Sequence, residues 1–169
     1  MSLSTATALH DAAYTLNQPA AVYRRDGLAA SVVNIPDDPK RQGVVGFTPQ
    51  LSQLIDDAWP LIWHQMDRIG ATASLPLYFF YVNPRDPVAD NAAALLSLLT
   101  SCQGRPLVWA PLSTSHAAIL HTLRLILPEL STLDLQQATL LYVGDNANRA
   151  PLQAMAKQSR IPFSFHALY

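Results

Sequence analysis

Three stretches of this sequence are apolar at nearly every position: Leu77–Val82, Pro106–Leu112 and Ala138–Val143. Each runs into a short polar turn and then into apolar residues at helical spacing. Strands that are apolar on both faces belong in a parallel sheet with helices on each side. The first leads through Asn83-Pro84-Arg85-Asp86-Pro87 into a predicted helix from about Ala89 to Cys102, which Gly104 closes. The second leads through Ser113-Thr114-Ser115-His116 into a helix reaching about Leu127, and the third through Gly144-Asp145-Asn146 into one from about Pro151 to Gln158. Ile161–Ala167 supplies a last strand.

The first third of the chain has a different pattern. Leu3 to Leu16 can form a short amphipathic helix, with Leu9, Ala13 and Leu16 on one side. Asp26-Gly27 lies between two runs rich in Val, Tyr and Ala, the signature of a two-residue hairpin turn within Ala20–Ile35. Asn34–Gly46, with its prolines, glycines, aspartates and basic residues, is a loop. It either connects through solvent or folds over the sheet edge. Thr48 then suits an N-cap and Pro49 the first helical position. Leu51, Leu54, Ile55, Ala58, Ile62, Met66 and Ile69 recur three and four apart, which makes a core-facing stripe ending at Gly70. Pro60 falls inside it, where the missing N–H predicts a kink or a break.

These elements predict one α/β domain over residues 1–169. Residues 1–46 hold the N-terminal helix, hairpin and loop, and 47–169 the βα core. The fold class is a three-layer Rossmann-like or flavodoxin-like sandwich, its sheet mainly parallel with the hairpin as an antiparallel edge.

Composition narrows the function classes. Half of the residues are hydrophobic and 14% are charged, which excludes intrinsic disorder. The single cysteine, Cys102, excludes an intramolecular disulfide framework and a multi-cysteine metal site. Near a helix end it is a buried thiol or one half of a Cys–His pair. With 11 basic and 12 acidic residues, the chain is no strongly cationic binder of nucleic acid or of membrane surfaces. The first 20 residues lack a basic segment followed by an apolar one, and no apolar run reaches membrane-spanning length, so the expected location is cytoplasmic. Aspartate greatly outnumbers glutamate, and arginine outnumbers lysine, which leaves helix surfaces made of Ala, Gln, Ser and Leu. That bareness fits either a contact surface or plain alanine-rich helices.

Ligands of open α/β sheets sit beyond the carboxyl ends of the strands. That rule nominates Asn83, Arg85 and Asp86, then Ser113, Ser115 and His116, and finally Asp145, Asn146 and Arg149. Hydroxyls and free N–H groups at a helix start can hold an anion, and His116 could move a proton. The same residue types also cap helices, which is a complete account of them without any ligand. The six glycines match no dinucleotide fingerprint or P-loop, and the histidines form no zinc pair, so neither cofactor nor metal is expected.

The stretch 141–156, LYVGDNANRAPLQAMA, resembles the last acidic motif of haloacid-dehalogenase-type phosphatases. Asp145 matches its first acid. The second acid falls at Arg149, and the positions of the nucleophile and its companion acid fall at Asn83 and Arg85. An amide forms no aspartyl-phosphate and a guanidinium binds no magnesium. The resemblance implies a fold relative without that chemistry.

Trp59 and Trp63 are one helical turn apart and would make a rigid binding anchor, unless they pack beneath the hairpin. The expected function is a non-catalytic accessory or adaptor domain acting through protein contacts. It would have an unidentified protein partner and form a homo-oligomer, with the helix Pro49–Ile69 at the contact. The alternative is an enzyme that binds a small ligand or a phosphate at the strand ends.

Overall fold

The computed structural model describes residues 20–25, 27–35, 48–71 and 75–168. The helix expected over Leu3–Leu16 and most of the Asn34–Gly46 loop lie outside the described residues. Six strands form one sheet in chain order: β1 (Ala20–Arg25), β2 (Leu28–Val33), β3 (Leu77–Tyr81), β4 (Leu107–Leu112), β5 (Ala138–Gly144) and β6 (Phe163–Ala167). β1 and β2 pair antiparallel across Gly27, whose φ of 78° suits the turn, and every later pairing is parallel. β3 and β4 are buried at every residue, as strands covered on both faces must be. The sandwich, the parallel sheet and the antiparallel edge match the sequence expectation.

Four helices connect the strands: α1 (Pro49–Arg68), α2 (Val88–Ser101), α3 (His116–Leu130) and α4 (Arg149–Gln158). Thr48 caps α1, its hydroxyl accepting from Leu51 N at 3.2 Å. Gly70 ends the helix with φ 72°, while Ala71 N donates to Met66 O and Gly70 N to Asp67 O. Of the kink or break expected at Pro60, the break does not occur, and α1 runs unbroken from Pro49 to Arg68. Pro60 stands on the exposed side, where the carbonyl that loses a donor can bond water.

The helices divide unequally. α2, α3 and α4 pack on one face of the sheet, against Tyr78, Phe80, Trp109 and Tyr142. Among the described helices, α1 alone covers the other, against Phe79, Val108, Ala110 and Leu141. At 1.5 Å per residue a 20-residue helix is roughly 30 Å long, and six strands span roughly 24 Å, so one helix suffices to cross them. Asp56 near its middle accepts from the Tyr23 hydroxyl of β1 at 2.7 Å, and Gln65 reaches β6. All four parallel connections step the same way across the sheet. The β2–α1–β3 connection lies on the opposite face from the other three, so it has the opposite hand to theirs, a departure from the usual uniformity.

Trp59 is 1% exposed and packs against Tyr23 at 5.1 Å and Phe79 at 6.1 Å between ring centroids. It is a core residue beneath the hairpin, not an anchor. Trp63, 45% exposed, is the half of the pair that faces outward.

Candidate functional site

Neighbouring connections leave toward opposite faces at one place only among the described residues, between the carboxyl ends of β2 and β3. Three asparagines fill that crevice. Asn34, held in the left-handed region at φ 65°, donates through Nδ2 to Tyr81 O at 2.8 Å and to Asn91 Oδ1 at 3.0 Å. Asn91, buried on α2, also accepts from Asn83 N at 3.1 Å and donates to Asn83 O at 2.8 Å. Asn83 Oδ1 in turn accepts from Arg85 N at 3.0 Å. Every polar atom of the Asn91 amide is used, so the cluster ties the strand ends together. The sequence does not single out Asn34 or Asn91. A polar residue on the apolar stripe shared with Leu95 and Leu98 is the signal that could have found Asn91. Arg85 and Asp86 stand exposed beyond the cluster.

The next loop is built the same way. Ser113 is buried, donates to Val82 O at 2.7 Å and accepts from Ser115 N at 3.1 Å. Ser115 caps α3 by accepting from Ala118 N at 3.2 Å. His116 opens the helix, and its Nδ1 lies 2.8 Å from the Tyr142 hydroxyl of β5. Asn148 donates to the His116 carbonyl at 2.9 Å and to the same hydroxyl at 3.2 Å. The hydroxyl therefore joins the β4 and β5 loops. Burial holds the His116 ring below the ordinary histidine range, and the nearby Asp145 carboxylate opposes this more weakly. Gly144 is required for the network, because a Cβ there would collide with the Tyr142 hydroxyl and lie 2.7 Å from His116 Nδ1.

The third loop spends its acid on a cap. Asp145 Oδ1 accepts from Ala147 N at 2.9 Å and starts a single 3-10 turn over Asn146–Asn148. Asn146 is exposed. Arg149 turns toward β6, with its guanidinium carbon 5.6 Å from the centre of the Phe165 ring. So the structure joins His116 to Asn148 through the Tyr142 hydroxyl, leaves Ser115 as a helix cap, ties Asn83 to Asn34 and Asn91, and sends Arg149 elsewhere.

Between these loops and α1 lies a cavity of about 110 Å³ lined by Asp57, Ala58, Ser113, Thr114 and His116 among others. That is room for about four water molecules. The Ser113 hydroxyl directs its proton to a backbone carbonyl, so it is not paired with His116 as a nucleophile. No group of three His, Cys, Asp or Glu side chains able to hold a metal occurs among the described residues. Burial pushes the Cys102 thiol up to about 11, which describes an inert core thiol. No described helix is long and apolar enough to cross a membrane.

Comparison with protein-family models, with curated proteins and with solved structures yields no match to this chain.

Proposed function

We propose that this domain works through contacts with another protein rather than through a reaction at the carboxyl end of its sheet. The observation that carries this reading is the outer edge of β6, an uncharged strand at the end of the strand order that no described strand pairs with. The polar residues of the three loops give it indirect support, because hydrogen bonds internal to the fold account for most of them. Self-association belongs to the same proposal, with Trp63 of α1 and Ile69, which caps its end, as exposed apolar residues at the contact.

The test has two arms. Purified from its native source under mild conditions, the domain is expected to bring down a partner in fixed stoichiometry. In a thermal-shift screen, nucleotides, sugar phosphates and magnesium are expected to leave its melting temperature unchanged. A ligand at 100 times its dissociation constant would add about 2.7 kcal/mol, which reads as several degrees. Such a shift, abolished by Asp145→Ala or His116→Ala, would overturn the proposal. It would favour the second reading, a small-ligand or phosphate-binding enzyme. That alternative rests on the cavity beside His116, whose ring burial holds below the ordinary histidine range.

A further inference from the structure

Resting on that interaction reading, we propose that the outer edge of β6 takes up an extended acidic segment of the partner as a seventh strand. Leu140 N donates to Pro162 O, and Leu168 N donates to Gly144 O. Alternate residues face the neighbour in a parallel ladder, so Ser164 and His166 also face β5. Phe163, Phe165 and Ala167 then direct their N–H and C=O groups outward, and no described strand receives them. Sheets normally blunt such an edge with charges or proline. β1, at the other edge, carries exposed Arg24 and Arg25, whereas the five residues of β6 include neither a charge nor a proline.

The charge stands beside the strand instead. A groove of about 300 Å³ lies at this edge, between Gln65 and Arg68 of α1 and Arg149 and Gln153 of α4. Two arginines and no carboxylate line it, and neither arginine is ion-paired to a described residue. Resting over Phe165, the Arg149 guanidinium keeps its planar fork of donors, which suits a carboxylate.

Charge also chooses the occupant. Pairing two copies edge to edge would gather four guanidinium groups into one short interface, and like charges so placed repel. An acidic strand is complementary. Its pattern follows from the layers: α1 and α4 lie on opposite faces of the sheet, and successive side chains of a strand point to opposite faces. Two carboxylates an odd number of positions apart reach both Arg68 and Arg149. An even spacing reaches only one of them.

The experiment uses the full chain and end-blocked nine-residue Val/Thr peptides carrying two aspartates, with binding read by fluorescence anisotropy. The odd-spaced peptide is expected to bind about fivefold more tightly than the even-spaced one, and Arg68→Glu or Arg149→Glu to remove that preference. N-methylation of the peptide amides that face β6 is expected to abolish binding, a control that leaves the protein unaltered. Deuterium exchange should slow at Phe163, Phe165 and Ala167 when the peptide binds. Equal binding of the two spacings, or no effect of N-methylation, overturns the proposal. So does a dimer in which those amides are protected without peptide. A partner that co-purifies but cross-links away from β6, with no peptide bound, overturns this surface and leaves the interaction reading standing.

Discussion

The side-chain carbonyl of Gln65 on α1 accepts a 2.8 Å hydrogen bond from the Ser164 hydroxyl on β6, 99 positions later in the chain. Its amide nitrogen lies 3.1 Å from His166 Nδ1, and since that nitrogen can only donate, Nδ1 accepts. A buried glutamine thus joins the covering helix to the last strand. Gln65→Met keeps the volume and removes both bonds. We expect a loss of about 1–2 kcal/mol in a urea midpoint, with faster amide exchange concentrated in β6. A midpoint equal to wild type would mean that Gln65 does not seat the strand.

Gly144 leads to a second expectation. Its side of β5 is occupied by the Tyr142 hydroxyl and the His116 ring, and the added methyl of Gly144→Ala has nowhere to go. Displacing both groups should cost roughly 1–3 kcal/mol. Thermal melting compared with Ala147→Gly, an exposed position three residues later, separates this crowding from a general effect on the loop.

The third concerns pH. Because the folded state holds the His116 ring below its ordinary range, the unfolded chain binds its proton more readily. The contribution of the neutral ring is complete above about pH 6.5, the ordinary histidine value, and is lost as the pH falls through the lower folded-state range. Wild-type stability should therefore drop between pH 7.5 and pH 5 by more than that of His116→Gln. Parallel denaturation curves for the two proteins would refute this.

Cys102 supplies a fourth. With its thiol pushed up to about 11, about one molecule in a thousand carries thiolate at pH 8. Iodoacetamide should label the native protein at least about 100-fold more slowly than the urea-unfolded chain. Comparable rates would place Cys102 outside the core.

Much of the fold is legible in the sequence because its three central strands are apolar at nearly every residue, the pattern of a doubly covered sheet. Phe79, Phe80 and Tyr81 illustrate this, since they alternate between the two cores while all staying buried. Helix ends are legible where chemistry marks them, as at Thr48 and Gly70. The end of α4 is not: Arg160 takes the left-handed conformation there at φ 58°, with nothing in its type to announce it. The site is less legible. Ser113, Ser115 and Asp145 are visible as polar loop residues, but one residue type serves equally as a cap and as a ligand. Partners such as Tyr142 and Asn34 come from distant strands. Trp59 and Trp63 look alike in sequence, and only the position of the hairpin distinguishes the core residue from the surface one.

The lone helix on its face also has a consequence for the order of assembly. The face bearing α2, α3 and α4 is built from neighbours in the chain, so it can grow unit by unit as residues 77–167 are added. The face under α1 cannot, because the seat of Gln65 is made of residues synthesised about a hundred positions later. Contacts of such long sequence separation bear the largest loop-closure cost and form late. The Trp59 part of α1 can settle on Tyr23 and Phe79 as soon as β3 is made, whereas the Gln65 end waits for β6. During synthesis α1 is thus seated from the hairpin side first and fixed at its Gln65 end last, and for that interval the half-built sheet presents the kind of apolar surface that a chaperone recognises.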